Sequence, residues 1–399
     1  MIDFGISRSG FQDEYYERKP YLRRNCFDPS PFGWSTIDSA LDMQDPTREL
    51  LKVLHNGRVE PSEYVEEYVD VGIRRRRIRK ERLYSMVAAG ATIVINRIEL
   101  VSPQVRQVCM DVGKFIGAQT TSNAYACMGE DAATNPHWDT HDVFVIQIGG
   151  RKHWRIYEPT FPLPISSQIS NDRKQDLPET PALDEILNAG DILYVPRGWW
   201  HRVVPVKDSD TLHLTIAVHT PLILDYFVWA SASVLPQFLE MRYSLLGQDH
   251  DPSRVDAALA ILTEALRDPQ TLQAFYSRSQ QRERVVSPFN LSSLLDRTDT
   301  SIPPETRLML NTRHSEKATG RLLVNGTELR LPPFEQRIVL SLSNAHSMSL
   351  RELAEALPDI DRDRLQIAAR ELAVNDILHF IPPGEGQDLG NFVVAEAIA

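Results

Sequence analysis

The chain has 399 residues, 42% of them hydrophobic and 24% charged, with a formal net charge of −11 at pH 7. That length exceeds one ordinary core, so several domains are expected, and the acidic balance argues against a surface made throughout for nucleic acid. Three cysteines (Cys26, Cys109, Cys127) form no CxxC pair, no apolar run reaches the ~18–20 residues of a membrane span, and the N-terminus has no apolar signal-peptide core, so a cytoplasmic protein without membrane contact is expected.

Residues 1–85 read as a mostly helical, polar segment. SEYVEEYV spaces Tyr64, Val65, Tyr68 and Val69 at helical intervals, which predicts one buried stripe. Six basic residues then crowd into Arg74–Lys80. They read as a solvated helix or loop face, with a contact surface for an acidic partner or RNA as the alternative.

Residues 86–221 change texture. GATIVINRIEL is β-branched and reads as a strand; a helix follows in PQVRQVCMDVGKFIG, with Val105, Val108, Val112 and Phe115 on one side, then a strand near Ser122–Met128. DVFVIQI, Gly149-Gly150 and HWRIYEP predict a hairpin. Five prolines in 158–189 predict a long loop over the sheet. GDILYVP and TLHLTIAVHTP supply two more strands. Short antiparallel strands with glycine turns argue for a double-stranded β-helix, the cupin jelly roll, within an α+β protein.

Residues 222–300 read as helical and rich in large apolar side chains, a region expected to form a homodimer. Residues 301–399 combine a hairpin at Asn325-Gly326, three helices and a closing strand, the layout of a winged-helix-like domain. Its helices carry Glu352, Glu355, Asp359, Asp361 and Asp363, so nucleic-acid reading is not expected, except through a ribosomal substrate.

The chemistry concentrates in HWDTHDVFVIQIGGRKHW and GDILYVPRGWWH. His137 and Asp139 stand two apart, so a strand would point both to one face, and His201 at the exit of the GDILYVP strand would complete two imidazoles and a carboxylate. That donor set holds Fe(II) on one face and leaves the other open. Lys152, after the Gly-Gly turn, would hold the distal carboxylate of 2-oxoglutarate, with Arg151 as the competing candidate.

SNAYACMGE…NPHWDTHDVFVIQIGGRKHWRIYEP, with the later His201, resembles the Jumonji-C oxygenases, specifically the ribosomal oxygenases. The resemblance implies Fe(II) on His137, Asp139 and His201, 2-oxoglutarate anchored by Lys152, and Asn123, Tyr125 and His213 lining the cosubstrate pocket. It also implies a jelly roll followed by a helical dimerisation region and a winged helix. Thr140, His141 and the Trp199-Trp200 pair depart from the family pattern. His141 shares the parity of His137 and Asp139, and a tryptophan beside the metal would narrow the cleft or stack on a planar substrate group.

The expected activity is O2- and 2-oxoglutarate-dependent hydroxylation of a side chain on a protein, such as a ribosomal protein, or on a peptide. The alternatives are tailoring of a peptide or small metabolite in a biosynthetic pathway, a metal cupin that does not use 2-oxoglutarate, and a non-catalytic binding or regulatory protein.

Overall fold

The computed structural model describes residues 2–43, 50–55, 57–129, 135–244, 252–283, 286–289, 291, 302–312, 321–343, 345, 347–381 and 383. They fall into two compact units that divide between His219 and Thr220.

The first unit is built on two antiparallel sheets. The larger contains β1 (Tyr21–Arg23), β2 (Leu51–Leu54), β5 (Thr92–Asn96), β6 (Gln119–Cys127), β7 (Asp142–Gly149), β10 (Ile192–Val195) and β12 (Thr211–His219), in the spatial order β1-β10-β7-β12-β6-β5-β2. The smaller has β8 (Arg151–Tyr157) between β11 (Trp200–Pro205) and β9 (Leu183–Asn188). This is the cupin arrangement anticipated from the strand pattern.

The larger sheet is covered on both faces, which explains the unbroken apolar run of β7. Phe144, Ile146 and Ile148 pack with Val105, Val108 and Val112 of α4 (Pro103–Ile116), as its 3.6-residue spacing requires. Val143 and Val145, on the opposite face, pack with Trp154, Ile156 and Leu187 of the smaller sheet. Burying each such side chain contributes roughly 1.5–3 kcal/mol. Ser102 caps α4 through Val105 N–H, and Gly117 ends it in the left-handed region.

Four expectations are corrected. The Gly-Gly segment does not close a hairpin: β7 pairs with β10 and β12, whereas β8 pairs with β9 and β11. Gly150 instead turns the chain from one sheet to the other at φ +64°, where a Cβ would lie 2.0 Å from the Asp210 carbonyl oxygen. The proline-rich stretch is not a loop throughout, because Asn171–Asp176 forms a short 3-10 helix and Leu183–Asn188 forms β9. His201 does not end the GDILYVP strand; a turn at Arg197-Gly198 separates β10 from β11, in which His201 is the second residue.

The fourth concerns residues 1–85. The segment contains α1 (Arg8–Glu14), α2 (Trp34–Met43) and the start of α3 (Lys80–Ala88), but SEYVEEYV is not helical. Val65–Asp70 is strand β3, paired with β4 (Ile73–Ile78) as a separate two-stranded ribbon. Tyr64 is buried, while Val69 is 69% exposed. The Arg-rich run is therefore a strand. Its arginines meet acids on the partner strand: Arg77 bonds Glu66, Arg76 bonds Glu67 and Arg75 pairs with Asp70.

The second unit begins with three helices, α5 (Ile223–Ser233), α6 (Pro252–Arg267) and α7 (Pro269–Arg282). Beyond them, Arg321–Val324 and Thr327–Arg330 form the expected hairpin, with Asn325 and Gly326 both at positive φ, as a tight turn of this type needs. Helices Pro333–Ser343, Leu350–Ala356 and Arg362–Val374 and strand Leu378–Ile381 follow, sharing one apolar core centred on Leu308, Ile338, Leu353 and Leu372. No helix among the described residues is long and apolar enough to cross a membrane.

Candidate metal centre

His137 lies outside any named strand but forms an isolated antiparallel bridge with His201. The two exchange backbone hydrogen bonds (His201 N–H to His137 O, 2.8 Å; the reverse, 3.2 Å), and Gly198 N–H donates to Asp139 O at 3.0 Å. Two sequence-distant segments are thus laced together by main chain. Extended backbone at 137–139 still gives the two-residue alternation that puts His137 and Asp139 on one side and Trp138 on the other.

Donor atoms of His137, Asp139 and His201 lie within 4.8 Å of one another, the one such His/Cys/Asp/Glu group of three or more among the described residues. The two imidazole rings are 4.3 Å apart, and His201 Nε2 is 3.8 Å from Asp139 Oδ2. Each histidine has its other nitrogen committed: His137 Nδ1–H to Asn135 O (2.9 Å) and His201 Nδ1–H to Trp199 O (3.2 Å). That leaves both Nε2 lone pairs facing the shared centre.

Electrostatics favour the ligating protonation states. Burial, with repulsion from His137, depresses His201 to about 4 despite the nearby Asp139. Burial opposes ionisation of Asp139, but the His201, His137 and His141 imidazoles together hold its carboxyl below the ordinary value. At neutral pH the set is one carboxylate and neutral His201, a cation site with no proton to expel from either. Its hard oxygen and imidazole nitrogens fit a divalent first-row metal such as Fe(II).

A narrow cavity of about 70 Å³ runs from this centre into the barrel. At its inner end Lys152 is 3% exposed, and its Nζ donates to His213 Nδ1 at 3.0 Å. Arg151, one residue earlier, points outside. Burial lowers Lys152 to about 8, and burial together with Lys152 keeps His213 neutral. Tyr125 stacks on His213 at 4.8 Å, nearly parallel, and burial near Asp139 pushes its phenol up to about 12. Asn123 is not on the cavity wall; it hydrogen-bonds the Tyr125 phenol and accepts from Arg97 N–H. A single buried ammonium facing a neutral imidazole, with no carboxylate paired to it among the described residues, fits an anionic cosubstrate.

Several wall residues went unnoticed in the sequence: Trp154, Val203, Pro205 and Thr215. Each stands two or four positions from Lys152, His201 or His213 on the same strand, so alternation alone could have found them.

The two tryptophans beside the candidate ligands do not enter the cleft. Trp200 is fully buried, packs edge-on to Trp138 at 4.5 Å and donates from Nε1 to Thr160 Oγ1 at 2.9 Å. Trp138 Nε1 donates to Gln168 O at 3.1 Å, and Phe161 stacks on the Trp138 ring. These contacts tie the proline-rich loop to the segments that carry His137, Asp139 and His201. Gly198 is needed there: at φ +85°, an added Cβ would stand 2.7 Å from Pro164 Cδ and 2.8 Å from Phe161 O. Trp199 is also buried, in the layer between the sheets. His141 is not in the ligand group; it stacks loosely on His219, at 6.0 Å.

A family model described as the JmjC domain matches residues 96–226. This stretch is similar to JmjC domains. Over 116 residues, 29% of the chain, it is 39% identical to the bifunctional lysine-specific demethylase and histidyl-hydroxylase NO66 of Drosophila persimilis. The Aedes aegypti protein of the same name is 24% identical over 93% of the chain. The chain spans 17% and 63% of the lengths of these two relatives. Among solved structures, the ribosomal oxygenase YcfD of Escherichia coli, determined with cobalt and 2-oxoglutarate, aligns over 95% of this chain and 99% of its own, with a TM-score of 0.57 and 14% identity. That likeness establishes the fold, and residues 96–226 take in the whole smaller sheet as well as the strands of the larger one that carry Tyr125 and His213.

Proposed function

We propose that the protein is an Fe(II)- and 2-oxoglutarate-dependent oxygenase that hydroxylates a side chain of a protein, with a ribosomal protein as the first candidate. The observation that carries this reading is one cavity with a His-Asp-His donor set at one end and an unpaired buried ammonium at the other. His137, Asp139 and His201 would hold the metal. Lys152 would hold the distal carboxylate of 2-oxoglutarate, with Tyr125 and His213 walling the slot and Asn123 bracing Tyr125.

Bound iron supplies oxygen activation coupled to decarboxylation of the cosubstrate. The chain's own residues fix the rest. Lys152 binds and orients the dicarboxylate, and His213, kept neutral, accepts from the ammonium without competing for the anion. Val143, Val145 and Trp154 exclude water from the slot, which strengthens the charge interaction.

The residues from 222 to 300 would form a homodimerisation region, and those from 301 to 399 a winged-helix-like packing module. Ile223, Leu224, Phe227 and Val228 of α5 are all exposed, which supports an apolar face awaiting a second copy. A cytoplasmic location fits the absence of disulfides among three buried free cysteines.

The test is mass spectrometry of ribosomal proteins and candidate peptides after incubation with iron, ascorbate and 2-oxoglutarate. A gain of one oxygen atom (about 16 Da) with wild type and none with His137→Ala is expected. Absence of both modification and 2-oxoglutarate turnover, in a protein that binds iron, would overturn the reading.

A further inference from the structure

Most polar atoms around the cavity are accounted for, and Trp154 is the exception. Its side chain is 4% exposed and lines the cavity, yet Nε1 has no hydrogen-bond partner. The indoles of Trp138 and Trp200, equally enclosed, both find acceptors. A buried N–H left unmade is costly, so such a donor marks a place where an acceptor is expected from outside the chain.

The position of the ring narrows the acceptor. On β8, Trp154 follows Lys152 by two residues and so shares its inward face. Opposite it on β11 is Val203, two residues beyond His201. The ring centre is 5.7 Å from His213, which it meets edge-on, and 6.1 Å from His201. Trp154 therefore spans the interval between the ammonium and the metal-binding histidine, the interval a dicarboxylate must occupy to reach both. Its other neighbours on that face are hydrocarbon: Val143, Val145 and Val203 offer no acceptor.

We infer that the Trp154 indole N–H is a second cosubstrate donor, which gives a hydrogen bond to a carboxylate oxygen of 2-oxoglutarate and helps set its position in the slot. This rests on the reading of the cavity as a 2-oxoglutarate site. The hydrogen bond is available only when that anion is bound, so Trp154 discriminates the loaded from the empty slot. A purely structural tryptophan would already have its donor satisfied by the fold.

The experiment uses the full chain with Mn(II) as a redox-inert metal, without oxygen, and measures 2-oxoglutarate binding by calorimetry. In parallel, indole 15N–1H resonances are recorded on tryptophan-labelled protein, with the Trp154 signal assigned by its loss in Trp154→Phe. The expected results are a downfield shift of the Trp154 indole proton on adding 2-oxoglutarate, and a loss of about tenfold or more in 2-oxoglutarate affinity for Trp154→Phe. Mn(II) affinity and the melting temperature without 2-oxoglutarate should stay close to wild type.

If wild type binds 2-oxoglutarate but Trp154→Phe binds it within twofold and the indole proton does not move, the inference is overturned while the cosubstrate reading stands. If wild type binds Mn(II) but no 2-oxoglutarate, the reading of the cavity falls and the inference falls with it. Should Trp154→Phe lose stability or Mn(II) binding in the same proportion as 2-oxoglutarate, the role is structural and the inference is likewise overturned.

Discussion

The barrel interior and the Val65–Ile78 ribbon both concentrate charge, and they dispose of it in opposite ways. On the ribbon, Arg75, Arg76 and Arg77 are each answered by an acid on the facing strand, all of them at least one-third exposed. Inside the barrel, the Lys152 ammonium has only a neutral imidazole, and Asp139 has only imidazoles, for company. Surface charge that satisfies itself asks for nothing. Buried charge of one sign without its counterpart is a demand, met by a ligand or endured as instability. The same contrast separates a run of arginines conspicuous in the sequence from a single lysine that is not.

The widest test of the contrast removes a side chain of the candidate metal centre. Asp139→Ala and His201→Ala are each expected to weaken Co(II) binding by more than about 100-fold, beyond what losing an outer-shell partner costs. Titration of the Co(II) absorption bands measures it. Retention of wild-type affinity by either variant would mean that the three side chains do not act as one site.

Lys152→Met comes next, because it should move binding and stability in opposite directions. Without the ammonium, 2-oxoglutarate affinity should fall by about 100-fold or more, since the carboxylate would be buried unpaired. The empty protein should become more stable. The folded-state pKa of Lys152 is lowered to about 8 from 10.5 by burial. Below pH 8 the folded chain therefore bears the full cost of a buried charge, on the order of 3 kcal/mol. Between pH 8 and 10.5 the unfolded chain holds this proton and the folded chain does not, so wild-type stability contains a component that rises with pH across that window. Chemical denaturation at pH 7 and pH 10 should show that component in wild type and not in Lys152→Met. Binding of 2-oxoglutarate to wild type should weaken as pH rises through 8, where the ammonium begins to be lost.

How much of this was legible beforehand follows from the range of the interactions involved. His137 and Asp139 could be paired from spacing alone, because extended backbone is enough to put i and i+2 on one side. The sequence points Lys152 to the inward face, but through a hairpin that does not form. A Gly-Gly turn looks the same whether it closes a hairpin or carries the chain to another sheet, and only the long-range partners of β7 and β8 decide between them. SEYVEEYV misled for a related reason: Val65, Tyr68 and Val69 suit a helix by spacing, but pairing with the arginine strand, invisible locally, makes the segment β. Its place next to His201 suggests that Trp200 enters the cleft; alternation turns it the other way, onto Trp138 and Thr160.

That tryptophan gives a smaller effect. Trp200→Phe keeps a ring against Trp138 but removes the N–H donated to Thr160, at a cost of about 1 kcal/mol in stability. Because the bond connects the proline-rich loop to the His201 segment, Co(II) affinity should also drop, by up to about tenfold. Exposed Arg173 and Lys174 in that loop provide a second readout, since trypsin should cut there faster in the variant than in wild type. Equal cleavage and equal affinity would mean that the loop does not help hold the ligands.

The ribbon should yield the smallest effect of all. Arg76 bonds Glu67 at 2.8 Å, yet both side chains are about half exposed, so water and salt already compete for them. Arg76→Ala is expected to change stability by no more than about 0.5 kcal/mol, and by less in 0.5 M salt than at low ionic strength. The candidate metal centre and the cavity behind it should be unaffected, because neither contains a ribbon residue. The contrast breaks if Arg76→Ala weakens 2-oxoglutarate binding as Lys152→Met does. It sharpens if the two arginine-to-alanine changes at 76 and 77 add within about 0.5 kcal/mol, as pairs satisfied separately on an exposed surface should.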